Sequence, residues 1–103
     1  MAVVNQYKFY GKTTTAAETV TMLSPSVNET YIVKSLRVTN KSGSNTPTVT
    51  IKNNAFEIVN TQTLSTAASV EILSLPLIVE GGTVLSYTTA GTVSDGVVFG
   101  ISY

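Results

Sequence analysis

The stretch that decides the fold is TYIVKSLRVTN, residues 30–40. Apolar and polar side chains alternate along it, which is typical of a half-buried β-strand because successive side chains of a strand point to opposite faces of the sheet. Tyr31 and Val33 share one parity, whereas Leu36 and Val38 share the other. A β-bulge between the two pairs would turn all four side chains inward, so we expect a strand that bends between two sheets.

The same alternation recurs along the whole chain, and no stretch carries apolar residues at helical spacing. The predicted strands are residues 4–10, 18–23, 30–40, 48–53, 56–63, 69–75, 83–89 and 96–103. Eight short strands separated by turn residues indicate an all-β fold, an eight-stranded antiparallel β-sandwich of jelly-roll-like type. A chain of 103 residues is the usual size of one domain, so we expect a single domain over residues 1–103.

Apolar positions change parity a second time within residues 70–75, between Ile72 and Leu73. Pro76 follows and cannot donate a backbone hydrogen bond, which favours a position where the chain crosses between sheets. An alternative to bulges is that Ile32 and Ile72 are half-buried against a neighbouring molecule.

Turn residues punctuate the strands. Glycine supplies positive φ angles at low cost, and asparagine tolerates them. The predicted turns and loops are residues 12–17, 40–47, 52–55, 80–82 and 95–96.

Composition favours contact with other proteins. Only 12% of residues are Asp, Glu, Lys or Arg, about half the usual share, while 17 Thr and 11 Ser supply neutral polar surface. Low charge reduces the repulsion that keeps monomers apart, so the sequence indicates an assembly.

Charge is divided unevenly along the sequence. Residues 1–52 contain all six bases and two acids, a net +4, and residues 53–103 contain four acids, a net −4. Two readings remain open: complementary patches on neighbouring subunits, or strands from both halves that interleave and mix their charges.

Residue types argue against an enzyme. The chain has no His and no Cys, which removes the commonest proton shuttle, the thiol nucleophile and the usual metal ligands. The six acids are scattered, and the Gly81-Gly82 pair lacks the helix and lysine of a phosphate loop. We therefore expect no catalytic residue, no cofactor and no metal.

Nucleic acid and membrane partners are not expected. The segment from Tyr7 to Lys12 mixes aromatic and basic residues, but the net charge is zero and a half-buried strand explains it better. Neither a signal peptide core nor an apolar run of about 20 residues is present, so synthesis in a cytoplasm is the expectation.

Two stretches resemble small virion proteins of tailed bacteriophages. The first is residues 31–40 with the Ser/Gly loop and Thr48-Val49-Thr50-Ile51, and the second is LPLIVEGGTVL, residues 75–85. This resemblance covers about half of the chain. Its motifs are those of a β-sandwich scaffold and are not specific to one position in the virion. It implies a structural protein of the virion, and we favour a capsid cement (decoration) protein that binds the lattice of the major capsid protein as a homo-oligomer. The alternatives are a neck, tail or fibre-associated virion protein, or a carbohydrate-binding β-sandwich module.

Aromatic and apolar residues supply the candidate interface, since tyrosine is common at protein contacts and exposed apolar groups mark them. Residues 1–10 are a possible interface arm added to a neighbouring subunit, or else the first strand of the sandwich. The candidate interface residues are Val3, Val4, Tyr7, Phe9, Tyr10, Tyr31, Tyr87 and Tyr103.

Overall fold

The computed structural model describes residues 7–103, which fold into β-strands and their connections. Ten strands are present in this part of the chain, in three antiparallel sheets. They are β1 (Phe9–Thr14), β2 (Thr19–Leu23), β3 (Tyr31–Val33), β4 (Ser35–Asn40), β5 (Thr48–Asn53), β6 (Phe56–Thr63), β7 (Ser69–Glu71), β8 (Leu77–Val79), β9 (Leu85–Ala90) and β10 (Val97–Ser102).

The strands pair in a nested order. The hairpin of β5 and β6 lies at the centre of the sequence, and outward from it β4 pairs with β7, β3 with β8, β2 with β9 and β1 with β10. Further pairing of β10 with β4 and of β5 with β9 joins these ribbons into two four-stranded sheets. Sheet A has the order β1-β10-β4-β7, sheet B has β2-β9-β5-β6, and β3 and β8 form a separate ribbon.

The central hairpin has the predicted bounds. Thr48–Asn53 and Phe56–Thr63 are joined by the predicted turn, in which Asn54 has a φ of 58°. Asparagine tolerates this left-handed conformation better than most residues, so the turn is encoded locally. Gly82 and Gly96 likewise adopt positive φ angles of 82° and 104° in the predicted turns.

The expectation of eight strands is wrong. Residues 30–40 divide at Lys34 into β3 and β4, which belong to different sheets. The Lys34 backbone N–H donates to the Ser102 carbonyl at 2.8 Å, and the predicted change of parity occurs there, because Val33 and Leu36 are both fully buried.

The second additional strand is β8, which begins directly after Pro76. Pro76 lies in the connection from β7 in sheet A to β8 in the ribbon, so the prediction that the chain crosses between sheets here is confirmed. The predicted strand over 69–75 is shorter and ends at Glu71; Leu75 is exposed and does not point inward.

The first strand is displaced from its predicted position. It covers Phe9–Thr14, so Lys12 to Thr14 are strand residues and not loop. Thr14 is buried and its hydroxyl hydrogen-bonds to the phenol of Tyr87, a partner that only the folded chain supplies. The predicted strand residues 4–6 lie outside the described part of the chain.

One hydrophobic core lies between sheets A and B. Leu36, Val38, Val97, Phe99 and Ile101 enter it from sheet A, and Val49, Ile51, Leu85 and Tyr87 enter it from sheet B. Both sheets contain strands from both halves of the sequence, so the interleaving of the two charge classes is confirmed.

Candidate protein-interaction surface

The two ends of the molecule differ in polarity. Strand directions bring the connections 24–30, 54–55, 72–76 and 80–84 to one end, together with the β3–β8 ribbon, and loops 15–18, 41–47, 64–68 and 91–96 to the other. Within residues 7–103, every large hydrophobic side chain that is exposed lies at the first end, which we call the apolar end. These side chains are Tyr7, Phe9, Val27, Ile32, Phe56, Leu75 and Ile78.

Two isoleucines of the ribbon are neighbours at the apolar end. Ile32 of β3 and Ile78 of β8 are direct partners in the ribbon and are 51% and 56% exposed. Side chains directly opposite each other in an antiparallel pair stand about 5 Å apart, so the two form one continuous apolar surface. Asn53 fixes this surface to sheet B by donating from its side-chain amide to the Ile78 carbonyl at 3.0 Å.

Phe56 belongs to the same end. It is the register partner of Asn53 at the start of β6 and is 75% exposed. The residues of β6 that pack against the core are Ile58 and Val59, which follow in the strand, whereas Phe56 lies beside the β5–β6 turn.

Phe9 and Tyr7 extend the apolar end along the edge of sheet A. The Phe9 ring lies over Gly11 and Gly100, which face each other in register, and a Cβ added to Gly100 would meet that ring at 3.3 Å. Glycine therefore makes the room that the ring occupies. Beside it, the Lys34 ammonium lies 3.6 Å above the centre of the Tyr7 ring, an attractive cation–π contact.

The turn before β3 places Val27 beside the ribbon. The Glu29 carboxylate accepts from the Ser26 N–H at 3.1 Å, and this hydrogen bond holds the pKa of Glu29 below its ordinary value. Gly81 fits against the same turn, where a side chain would collide with the carbonyl oxygens of Ser26, Val27 and Glu29.

Charges at the apolar end are balanced. Four bases and four acids lie in its strands and turns, immediately next to them, or directly opposite such a residue in a ladder. Neither sign dominates, so the electrostatics do not select an acidic or a basic partner. These residues are Lys8, Lys34, Arg37, Lys52, Glu29, Glu57, Glu71 and Glu80, of which Arg37 and Glu71 lie opposite each other in register.

The predicted interface residues differ in exposure. Tyr7 and Phe9 are exposed at the apolar end. Tyr31 and Tyr103 are half-buried and pack against each other, with ring centroids 5.0 Å apart and planes at 45°. Tyr10 is half-buried against the core, and burial raises its pKa.

The prediction that Tyr87 belongs to the interface is wrong. Its side chain is 1% exposed and lies in the core between the sheets, so it is not accessible to a partner or a sugar. The residues Val3 and Val4 lie outside the described part of the chain.

The sequence predicts that residues 1–10 are either an interface arm or the first strand of the sandwich. For Phe9 and Tyr10 the first strand is the correct interpretation. Both belong to β1, which pairs with β10 over its full length. The pairing extends one residue further, since the N–H groups of Lys8 and Tyr103 donate to each other's carbonyls at 2.6 and 2.9 Å. Residues 1–6 are not part of this comparison, because they lie outside the described residues.

Sequence reasoning missed four members of the apolar end: Val27, Phe56, Leu75 and Ile78. A signal existed for Val27 and Phe56, because Val27 is a large apolar residue between two predicted strands and Phe56 is one next to a predicted turn. No comparable signal existed for Ile78, which lies in an apolar run that reads equally well as a buried strand.

The opposite end, which carries loops 15–18, 41–47, 64–68 and 91–96, is called the polar end. It contains a shallow groove of about 180 Å³ next to loop 64–68. Its lining side chains are neutral, from Gln62 to Ser65 and from Ala68 to Val70, so this groove contains no acid or base. In the described part of the chain, no three His, Cys, Asp or Glu side chains are grouped as a metal would require.

Residues 7–103 include no helix of the length and apolarity needed to cross a membrane. Comparison of the chain with protein-family models, with curated proteins and with solved structures gives no significant match.

Proposed function

We propose that this chain is a non-enzymatic structural protein of a bacteriophage virion, and specifically a capsid cement protein that binds the major capsid protein lattice. The observation that carries the proposal is the apolar end. Seven large hydrophobic side chains exposed at one end of a small domain are typical of a surface that is covered in an assembly. The other features in support are the low charge and the absence of His and Cys.

The strand order supports a jelly-roll topology. A jelly roll is an antiparallel ribbon wound so that its two arms contribute alternate strands to two facing sheets. The nested pairing about the β5–β6 hairpin and the sheet orders β1-β10-β4-β7 and β2-β9-β5-β6 agree with that winding, with β3 and β8 as an additional ribbon. Viral capsid domains are among the proteins that use this architecture.

Cementing would follow from many weak contacts. A homo-oligomer that touches neighbouring capsomers binds its second site at high effective concentration, because the first contact already holds it on the shell. Modest interfaces then resist shell expansion together, and no covalent chemistry is needed. In this proposal the protein is a component of the virion, and its partner is the major capsid protein.

Quantitative gel analysis of purified particles tests the proposal. We expect the chain in many copies, in a fixed ratio to the major capsid protein, and we expect particles without it to lose their genome at a lower temperature. If only a few copies per particle were found, the cement role would be wrong and a neck, tail or fibre role would be favoured. Absence from the particles would overturn the virion assignment altogether.

A further inference from the structure

We propose that the apolar end binds a second copy of this chain, in a symmetric contact centred on Ile32 and Ile78. This inference deepens the proposed function and rests on it, since it names the partner that covers the apolar end. Three observations favour a second copy: the area of the surface, its charge balance and its geometry.

The apolar area suffices for a dimer. Tyr7, Phe9 and Phe56 are 72–85% exposed. With about 200 Å² for each aromatic side chain, the three rings leave roughly 450 Å² in contact with water. A standard interface buries about 800 Å² per partner, a little over half of it non-polar. The three rings alone approach that amount, and Val27, Ile32, Leu75 and Ile78 add to it.

Charge balance makes the surface compatible with itself. A surface with an excess of one sign repels its own copy, whereas this end has four bases and four acids. Away from the axis of a two-fold contact, a residue on one copy meets a different position on the other, so bases and acids can be brought opposite each other. Lys52 and Glu57 already lie opposite each other in the β5–β6 ladder, which shows that unlike charges alternate here within a short distance.

The geometry suits a two-fold contact. Ile32 and Ile78 stand side by side in the ribbon, and each is more than half exposed. A two-fold axis beside this pair would place the four isoleucines of two copies together, as in the non-polar centre of a typical interface. The exposed rings of Tyr7, Phe9 and Phe56 lie at the same end and would add apolar area to the contact.

Sedimentation velocity of the purified chain over a range of concentrations tests the proposal. We expect a monomer–dimer equilibrium that Ile78→Asp weakens roughly tenfold or more, because the change places a carboxylate in the centre of the contact. Phe56→Asp is a second variant, at a different element, in case Ile78→Asp unfolds β8. Circular dichroism establishes that each variant is folded.

Thr63→Asp is the matched control. Thr63 lies on the same strand as Phe56 but at the polar end, where it is also exposed. The substitution adds the same charge, so we expect unchanged self-association and an unchanged melting temperature.

Three results would overturn the proposal. The first is a wild-type chain that stays monomeric at every concentration. The second is a dimer that survives both Ile78→Asp and Phe56→Asp, which would place the contact on another surface. The third is a monomer that dimerises only after deletion of residues 2–6, which would make the N-terminal segment the occupant. Each result leaves the particle analysis unaffected, so failure here is distinct from failure of the cement proposal.

Discussion

Tyr87 and Phe99 stack across the interior, with ring centroids 3.6 Å apart and planes within 13° of parallel. Tyr87 belongs to β9 in sheet B and Phe99 to β10 in sheet A, so this pair joins the two sheets. Both side chains are fully buried. The contact is therefore the place where a mutation should separate the sheets most directly.

Phe99→Ala should destabilise the fold by about 3–5 kcal/mol, because it leaves a cavity against the Tyr87 ring. Urea unfolding at one low protein concentration measures the loss. Phe56→Ala is the matched control: the residue type is the same but the ring is exposed, so we expect a change within about 0.5 kcal/mol. Equal losses for the two variants would contradict the assignment of Phe99 to the core.

Stability should fall in alkali because of Tyr87. Burial raises the pKa of Tyr87 above its ordinary 10.0, and the hydrogen bond with Thr14 offsets part of this rise. The neutral phenol is thus favoured in the folded state, and its contribution is complete below pH 10 and lost as the pH rises through the raised value. Urea unfolding at about pH 9 and about pH 11 should show this loss.

Tyr87→Phe removes the titrating group and is the test of that assignment. The variant should be less stable at neutral pH by about 1 kcal/mol, since the Thr14 hydroxyl loses its partner. Its stability should nevertheless decline less between the two alkaline conditions than that of the wild type. An identical decline would assign the effect to Tyr10 and Tyr31, whose pKa values are also raised by burial.

Gly81→Ala should cost about 3 kcal/mol or more, because the new methyl group would lie 2.7 Å from the Glu29 carbonyl oxygen and 2.8 Å from that of Val27. The 26–29 turn or the β8–β9 connection would have to move. Gly43→Ala is the control, since a Cβ at Gly43 would meet no atom within 4 Å. Thermal unfolding of both variants checks the prediction, which fails if the two melt together.

Asn40→Ala should destabilise the polar end by about 2–4 kcal/mol. The buried Asn40 amide donates to the carbonyls of Asn45 at 2.9 Å and Ser65 at 3.1 Å, and its oxygen accepts from the Ser42 N–H at 3.1 Å. One side chain thus ties loop 41–47 to loop 64–68. Hydrogen exchange should show faster exchange in both loops, with β3 and β8 unchanged; exchange confined to one loop would refute the link.

Glu71 should contribute stability that is lost in acid. Partial burial raises the pKa of Glu71, but hydrogen bonds from Ser35 at 2.5 Å and the Leu36 N–H at 2.8 Å outweigh it and hold the pKa below the ordinary 4.5. The contribution is present above pH 4.5 and disappears as the pH falls through the lowered value. Glu71→Gln should therefore flatten the acid side of the stability profile, and an unchanged profile would contradict this role.

Local chemistry explains the elements that sequence predicted well. The β5–β6 hairpin needs an alternating pattern on each side of a residue that tolerates positive φ, and Thr48–Asn53, Asn54 and Phe56–Thr63 provide both. The change of parity after Val33 and the crossing at Pro76 are also local facts, because side-chain direction and the missing N–H follow from the residues themselves.

The burial of individual residues could not be predicted from local sequence. Tyr87 and Tyr31 are the same residue type in similar alternating segments, yet one is in the core and the other is half-buried beside Tyr103. Thr14 is polar but buried, because its hydroxyl forms a hydrogen bond with the phenol of Tyr87, 73 positions away in sequence. Such outcomes depend on which strands become neighbours.

The sequence by itself determined the all-β class, most strand positions and the principal turns, because these depend on side-chain alternation and on backbone preferences of single residues. Only the tertiary structure decided that Ile32, Phe56 and Ile78 meet at one end. They are separated by long stretches of sequence, and it is the nested antiparallel pairing that returns the chain to the same end after each pair of strands. The apolar end is consequently a property of the winding of the chain, and no local pattern encodes it.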